Sequence, residues 1–261
     1  MIKYEKINDY IYRLAIPFMD IYTTVYAVHT PDGVVLFDTA TFDDDVENYI
    51  IPFLEELKVT KDMLKYVFIS HKHGDHAGGL KKLMKKYPDV CIISRSSVIK
   101  EEFKNFNVVS PDDGDTILSV LKVVTIPGHT ADSSGIFDTR TKTLISGDSL
   151  QFYGIYGSGL WGTNIRMIGE HIAAVEKLRL MDIDTILTAH NYHPCGHICS
   201  GNKDVLYALD MCVEPLYKIR DIIIENPCAD DEKICNMYNN SDKLPTLVLH
   251  TVTAIREYFF R

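Results

Sequence analysis

The chain has 261 residues, 46% of them hydrophobic, with 27 Lys and Arg against 36 Asp and Glu for a formal net charge of -9. Such a chain can bury a sizeable core in one large domain or a domain with an appendage. The clustered basic residues that neutralise phosphates are missing and no apolar run approaches a membrane span, so neither nucleic acid nor a membrane is an expected partner.

Residues Met1 to Lys6 alternate polar and apolar side chains, which argues against a signal peptide. Six cysteines in so long a chain without an export signal read as free thiols in a reducing cytoplasm. Residues 4–7, 11–16, 23–29 and 34–38 read as successive strands, with Pro31-Asp32-Gly33 as a tight turn. Asp38 closes the fourth strand; its carboxylate either supports a site at the strand ends or caps the next segment, and capping is the commoner fate. Val46, Tyr49, Ile50, Phe53, Leu54 and Leu57 recur at helical spacing and predict a helix over 43–58, with Pro52 at a kink or a shifted start.

Tyr66 to Ile69 is a further strand, and His71, His73, Asp75 and His76 follow it directly, before an amphipathic helix over 80–87. Neutral imidazole and carboxylate are the usual nitrogen and oxygen ligands of zinc and similar ions. Alternation on an extended segment aims His71 and His73 the same way, while Asp75 and His76 face a second point at the turn into the helix. Four such residues within six positions predict a metal site with room for two ions.

Residues 90–94 read as a buried strand parallel to the preceding one, 98–106 as a short helix, and β structure returns from Ile117 to Ile126. His129 follows at once. Residues 135–138 and 142–146 suit a hairpin with Asp148 after its second strand, and 184–189 is another strand with His190 behind it. Strand and helix alternation therefore stops midway, which predicts two sheets packed face to face with helices outside. Residues 164–180 read as a helix burying Ile165, Ile168, Ile172, Val175 and Leu178, with Glu170 and His171 on the surface. From Asn202 the pattern is helical: a long helix broken near Pro215, a shorter one after Pro227, and a last one from Leu247 to Phe260.

This arrangement resembles the metallo-β-lactamase superfamily. The H-x-H-x-D-H signature is met by His71, His73, Asp75 and His76, the P-G-H-T element by Pro127 to Thr130, the G-D element by Gly147 and Asp148, and the last ligand by His190. The resemblance covers roughly residues 4–195. It implies an α/β fold, an αββα sandwich of two mixed β-sheets with outer helices over residues 1–200, with residues 201–261 as a helical C-terminal extension packed on the same domain. Carried over residue by residue, His71, His73 and His129 would hold one metal, Asp75, His76 and His190 the other, and Asp148 would bridge them. True β-lactamases of the superfamily usually carry Cys or a non-bridging residue at that place. Asp148 therefore points away from antibiotic hydrolysis and toward glyoxalase II type thioesterases, lactonases and phosphodiester-cleaving branches.

The chemistry expected of such a site is hydrolysis of a small carboxylic ester, thioester or lactone. Water held between two divalent ions has its pKa lowered from about 15.7 toward neutrality, which yields a hydroxide nucleophile. Asp75 would serve as a ligand and could also accept a proton. Alternatives are a nonhaem iron oxidoreductase on the same fold and a phosphodiester hydrolase. The nitrogen-rich ligand set suits zinc, and iron or manganese would also be accepted.

The glycine-rich aromatic stretch from Gln151 to Gly162 is expected to choose the substrate through Tyr153, Tyr156 and Trp161, unless those rings are ordinary core. His193, Cys195, His197 and Cys199 lack a common structural zinc spacing, so a loop beside the site is expected, with His193 or His197 touching substrate. The expected partner is a small-molecule substrate. The C-terminal helices would either cap the pocket or form a homodimer interface.

Overall fold

In the structure, a computed structural model, residues 2–19, 21–152, 163–192, 196–239 and 246–260 are described. The strands belong to a seven-stranded sheet, β1 to β7, and a six-stranded one, β8 to β13. The chain divides into two units, one of residues 1–125 with 134–140 and one of residues 126–133 with 141–261.

The first unit opens with an antiparallel meander of β1 (Glu5–Lys6), β2 (Ile11–Phe18), β3 (Ile21–Thr30) and β4 (Gly33–Phe37). Direction then changes, and β5 (Leu64–Phe68), β6 (Cys91–Ile93) and β7 (Val108–Val109) run parallel to β4. Parallel strands need crossover connections, and the helical spacings of the sequence supply them. The first crossover is α1 (Asp43–Asp45), a π-helical turn over Val46–Ile50, and α2 (Ile51–Glu56). The wider π turn answers the problem posed by Pro52. It restarts the helix so that the proline falls in a first turn, where its missing N–H costs nothing. Asp45 folds back at the start of this crossover, its Oδ2 accepting the backbone N–H groups of Thr41 and Phe42 at 3.0 and 2.8 Å.

After β5 come α3 (Gly74–Ala77) and α4 (Leu80–Lys86), and after β6 comes α5 (Ser97–Glu102). Leu14, Val25, Leu36 and Val67 from the sheet meet Val46, Phe53, Leu54, Leu80 and Leu83 from the helices in one buried core. The unit also contains β8 (Thr116–Ile117), β9 (Leu121–Thr125) and β10 (Ser134–Asp138), an antiparallel run.

In the second unit β11 (Thr143–Ile145) pairs in parallel with β12 (Thr185–Tyr192), and β13 (Gly196–Ser200) pairs antiparallel with β12. The stretch expected to be a loop after His190 is thus largely strand. Helix α6 (Ile168–Arg179) begins four residues later than its pattern suggested. The reason lies in its leading segment, where the Arg166 and Met167 N–H groups donate to the Gly128 carbonyl and Ile165 N–H donates to a side chain, all outside the helix.

Helix α7 (Asn202–Glu225) runs unbroken through Pro215, which is buried inside it. Loss of one backbone bond there is offset by the apolar face of α7, where Leu216, Ile219 and Ile223 join Ile165 and Ile168 in a core shared with α8 (Asp231–Asn239) and α9 (Thr246–Phe259). No helix of the described residues is long and apolar enough to cross a membrane.

Gly78 and Gly79, after the histidine cluster, are required by space. A Cβ on Gly79 would lie 2.2 Å from the Thr39 carbonyl oxygen and 2.5 Å from Val46 Cγ2, and one on Gly78 would lie 2.0 Å from the Thr41 oxygen. Gly79→Ala is therefore expected to destabilise the fold by about 1–3 kcal/mol, as overpacking against backbone does, and a urea melt reads this directly.

Candidate metal centre

Four of the candidate ligands belong to the first unit. His71 and His73 lie on the turn after β5, and His73 caps α3, which carries Asp75 and His76. Their backbone is pinned from two sides: Thr23 Oγ1 donates to the Asp75 carbonyl at 2.9 Å, and Thr39 Oγ1 donates to the His76 carbonyl at 3.0 Å. The Ser70 carbonyl accepts the Ser134 N–H at 3.0 Å.

His71 Nε2 and His73 Nδ1 approach to 3.0 Å, and His76 Nε2 lies 3.3 Å from Asp75 Oδ2. Two ligand atoms each about 2.0–2.1 Å from one tetrahedral ion are separated by roughly 3.3 Å, so both spacings fit a shared cation.

Asp38, placed by expectation among turn caps, is instead part of this cluster. It is fully buried at the end of β4, and its carboxylate accepts the Ser70 N–H, the Ser70 hydroxyl and His76 Nδ1, each at 2.8 Å. Burial pushes the Asp38 carboxyl up from the usual carboxylate range, while His76 and then Ser70 pull it down. A carboxylate can only accept from His76, so the Nδ1 proton is fixed there and Nε2 keeps its lone pair toward Asp75. Asp38 holds a left-handed backbone, φ 63, which only Asn and Asp among non-glycine residues adopt at modest cost.

His129, Asp148 and His190 belong to the second unit. His129 Nε2 is 3.8 Å from Asp148 Oδ2, and His190 Nε2 is 3.2 Å from Asp148 Oδ1, so the aspartate presents one oxygen to each histidine. All three are buried. His190 lies inside β12, where the pairing with β13 shifts register between Leu187 and Tyr192. Such an irregularity re-aims side chains, which places His190 beside Asp148 from a strand interior. Tyr192, buried two residues on, reaches Asp148 Oδ1 through its hydroxyl at 3.5 Å.

His129 is fixed in the way His76 is, by an acceptor on its outer nitrogen. Its Nδ1 donates to the Asn164 carbonyl at 2.7 Å, leaving Nε2 as the lone-pair nitrogen. Gln151 braces both neighbours. Its Oε1 accepts the Asn164 N–H at 2.9 Å, and its Nε2 donates to the Asp148 carbonyl at 3.1 Å.

His171 departs most from expectation. It is fully buried on α6, its Nε2 3.1 Å from the Cys212 carbonyl of α7, and its ring lies against Gly128, where a Cβ would sit 2.6 Å from His171 Cβ. Burial holds its imidazole down to about 4, opposed by the bond to Cys212. Its neighbour Glu170 is exposed, as the sequence suggested. Tyr153, Tyr156, Trp161 and His193, expected to contact substrate, lie outside the described residues.

A signal for Asp38 exists in the sequence as a carboxylate at a strand end. None exists for Asn164, which acts through a backbone carbonyl.

Known proteins share this architecture. A family model described as the metallo-beta-lactamase superfamily matches residues 19–190, and the chain belongs to that family. Among curated proteins it is 27% identical over 71% of its length to a Caenorhabditis elegans beta-lactamase-like protein 2 homolog, and 30% identical over 48% of its length to a hydroxyacylglutathione hydrolase of Francisella philomiragia. The chain spans 63% and 50% of the length of these two relatives. A crystal structure of a metallo-beta-lactamase family protein from Thermus thermophilus matches with TM-score 0.71 at 15% identity, covering 97% of this chain and 94% of that one. The fold is accordingly that of the family, two mixed β-sheets flanked by helices, with further helices at the C-terminus.

The neutral state of His171 makes a pH prediction. An unfolded histidine titrates near 6.5 and the folded one near 4, so the unfolded chain binds the extra proton between these values. Stability should be unaffected by this group above pH 6.5 and should fall by roughly 3 kcal/mol as pH drops from there to about 4. Urea melts across that range, with His171→Asn showing a smaller loss, check it.

Proposed function

We propose that this chain is a metal-dependent hydrolase that cleaves a thioester or a related small carboxylic ester or lactone. The observation that carries the reading is the pairing of ligand atoms. His71 with His73, Asp75 with His76, and Asp148 with His190 approach within 3.0–3.3 Å, and the outer nitrogens of His76 and His129 are committed to Asp38 and to the Asn164 carbonyl. Imidazole nitrogens held with their lone pairs toward carboxylate oxygens, as those of His76 and His129 are, suit a cation.

In this reading His71, His73 and His129 would hold one ion and Asp75, His76, Asp148 and His190 a second, each side chain offering one nitrogen or oxygen atom. Asp148, with one oxygen toward His129 and the other toward His190, would be the shared ligand. Five imidazoles with two carboxylates suit zinc, and also accept iron or manganese. Two bound divalent ions would supply an acidified water as nucleophile and positive charge for the developing oxyanion.

The chain's own groups do the rest. Asp38 and the Asn164 carbonyl hold His76 and His129 in single tautomers, Tyr192 restrains Asp148, and Asp75, at 16% side-chain exposure, is the proposed proton acceptor. Tyr153, Tyr156, Trp161 and His193 are the proposed substrate contacts. The Francisella relative, a hydroxyacylglutathione hydrolase, supports the thioester among these substrates. Asp148 in place of cysteine argues against antibiotic hydrolysis.

The test is metal analysis with turnover. About two ions per chain and thioester or lactone hydrolysis abolished by a chelator are expected. Asp148→Ala should lower metal content and reduce kcat/KM by about a hundredfold or more. Full binding of both ions by Asp148→Ala would reject the shared ligand, and iron with oxygen consumption but no hydrolysis would replace the reading by an oxidoreductase.

A further inference from the structure

The second unit contains a connection between the C-terminal helices and His129 that the reaction above does not require. Thr251 lies in the middle of α9 and is fully buried. A threonine inside a helix ordinarily bonds a carbonyl one turn back in its own helix. The Thr251 hydroxyl instead accepts the Ile165 N–H at 2.9 Å and donates to the Thr163 carbonyl at 2.7 Å, across sequence separations of 86 and 88.

Between those two backbone groups sits Asn164, whose carbonyl accepts from His129 Nδ1 and whose N–H donates to Gln151. Residues 163–165 are irregular backbone, belonging to no helix or strand. Their geometry is therefore set by side-chain clamps, Thr251 on one side and Gln151 on the other. Thr251 bonds the peptides on both sides of Asn164, through the Thr163 carbonyl and the Ile165 N–H. The Asn164 carbonyl shares its peptide plane with the Ile165 N–H, so a rotation of that peptide would break the bond to Thr251 and turn the carbonyl away from His129, and the imidazole direction would be lost with it.

We propose that Thr251 is a positioning residue for His129: through residues 163–165 it makes the docking of α9 set the tautomer and direction of the His129 ring, and thereby the affinity for a metal ion. The part concerning metal rests on the proposed function, whereas the part concerning the ring does not. The helical segment after residue 201 is on this account a component of the metal centre, beyond any role as cover or interface.

The experiment uses the full chain, with zinc as the probe. Thr251→Val keeps the shape and removes both hydroxyl bonds, Thr251→Ser restores them, and Ile255→Val trims the core contact of the same helix without touching the clamp. Two quantities are read: zinc affinity by competition with a chromophoric chelator, and the His129 imidazole signals of the metal-free protein by nitrogen-15 NMR.

Thr251→Val is expected to weaken zinc binding about tenfold or more and to shift the His129 signals away from a single Nδ1–H form. Thr251→Ser should return to within about twofold of the parent, and Ile255→Val should leave both readings in place. Unchanged affinity and signals in Thr251→Val, or an equal loss in Ile255→Val, would overturn the proposal. If the parent protein binds no zinc, the proposed function falls, and the metal-free His129 signals still decide the role of Thr251. If Thr251→Val does not fold, amide exchange in the parent decides: Ile165 exchanging together with the α9 amides supports the clamp, and Ile165 exchanging well ahead of them overturns it.

Discussion

The constraint on which the candidate centre depends is the protonation state of buried imidazoles. A neutral histidine offers one donor and one acceptor nitrogen, and which is which is set by the partner of the outer nitrogen. Asp38 settles the matter for His76 and the Asn164 carbonyl settles it for His129, each with a bond under 3 Å. Without these acceptors the rings could turn N–H groups toward the Asp75 and Asp148 carboxylates, which would remove the lone pairs that a cation needs. The direction of both lone pairs is thus decided one layer behind the candidate ligands.

Holding that layer has a cost that the surrounding structure absorbs. Asp38 and Ala40 both adopt left-handed backbone, φ 63 and 57, on the short stretch that also receives the close approach of Gly79. Residues in that region cost of order 1–3 kcal/mol each. The stretch is secured by backbone bonds from Asp38 to Phe68 and from Thr39 to His76, and by the three donors that converge on the Asp38 carboxylate. Strain and polar burial occur where the ligands are, and the apolar core of Leu14, Leu36, Phe53 and Val67 supplies the stability that tolerates them.

In the second unit the equivalent support comes from far along the chain. His171 on α6 fills the space beneath Gly128 and is held by α7, while Thr251 on α9 secures the segment that orients His129. Both side chains are polar, fully buried and bonded to backbone. Thr251 satisfies two peptide groups that the irregular backbone of residues 163–165 would otherwise leave unpaired, a loss of about 1–3 kcal/mol per group, whereas His171 bonds a carbonyl inside α7.

The sequence by itself determined the candidate ligands, their order and the elements that carry them. His71, His73, Asp75 and His76 are covalently close, so their convergence needs only a strand and a turn, and the apolar run before them and the helical spacing after them state both. The parallel β5–β6 pairing and the helices of the C-terminus were legible for the same reason, periodicity being a local property. Tertiary structure alone decided what lies behind those ligands. Whether Asp38 caps a turn or holds His76 depends on a partner 38 residues away, and the burial of His171 depends on a carbonyl of α7 41 residues away. Pro215 stays helical because the core of α6 to α9 outweighs one lost bond, a balance no window of sequence contains. The Asn164 carbonyl is the clearest case: every residue has such a carbonyl, so nothing in its side chain announces a role. Long-range acceptors and packing are properties of the folded chain, and the fold had to be seen before they could be assigned.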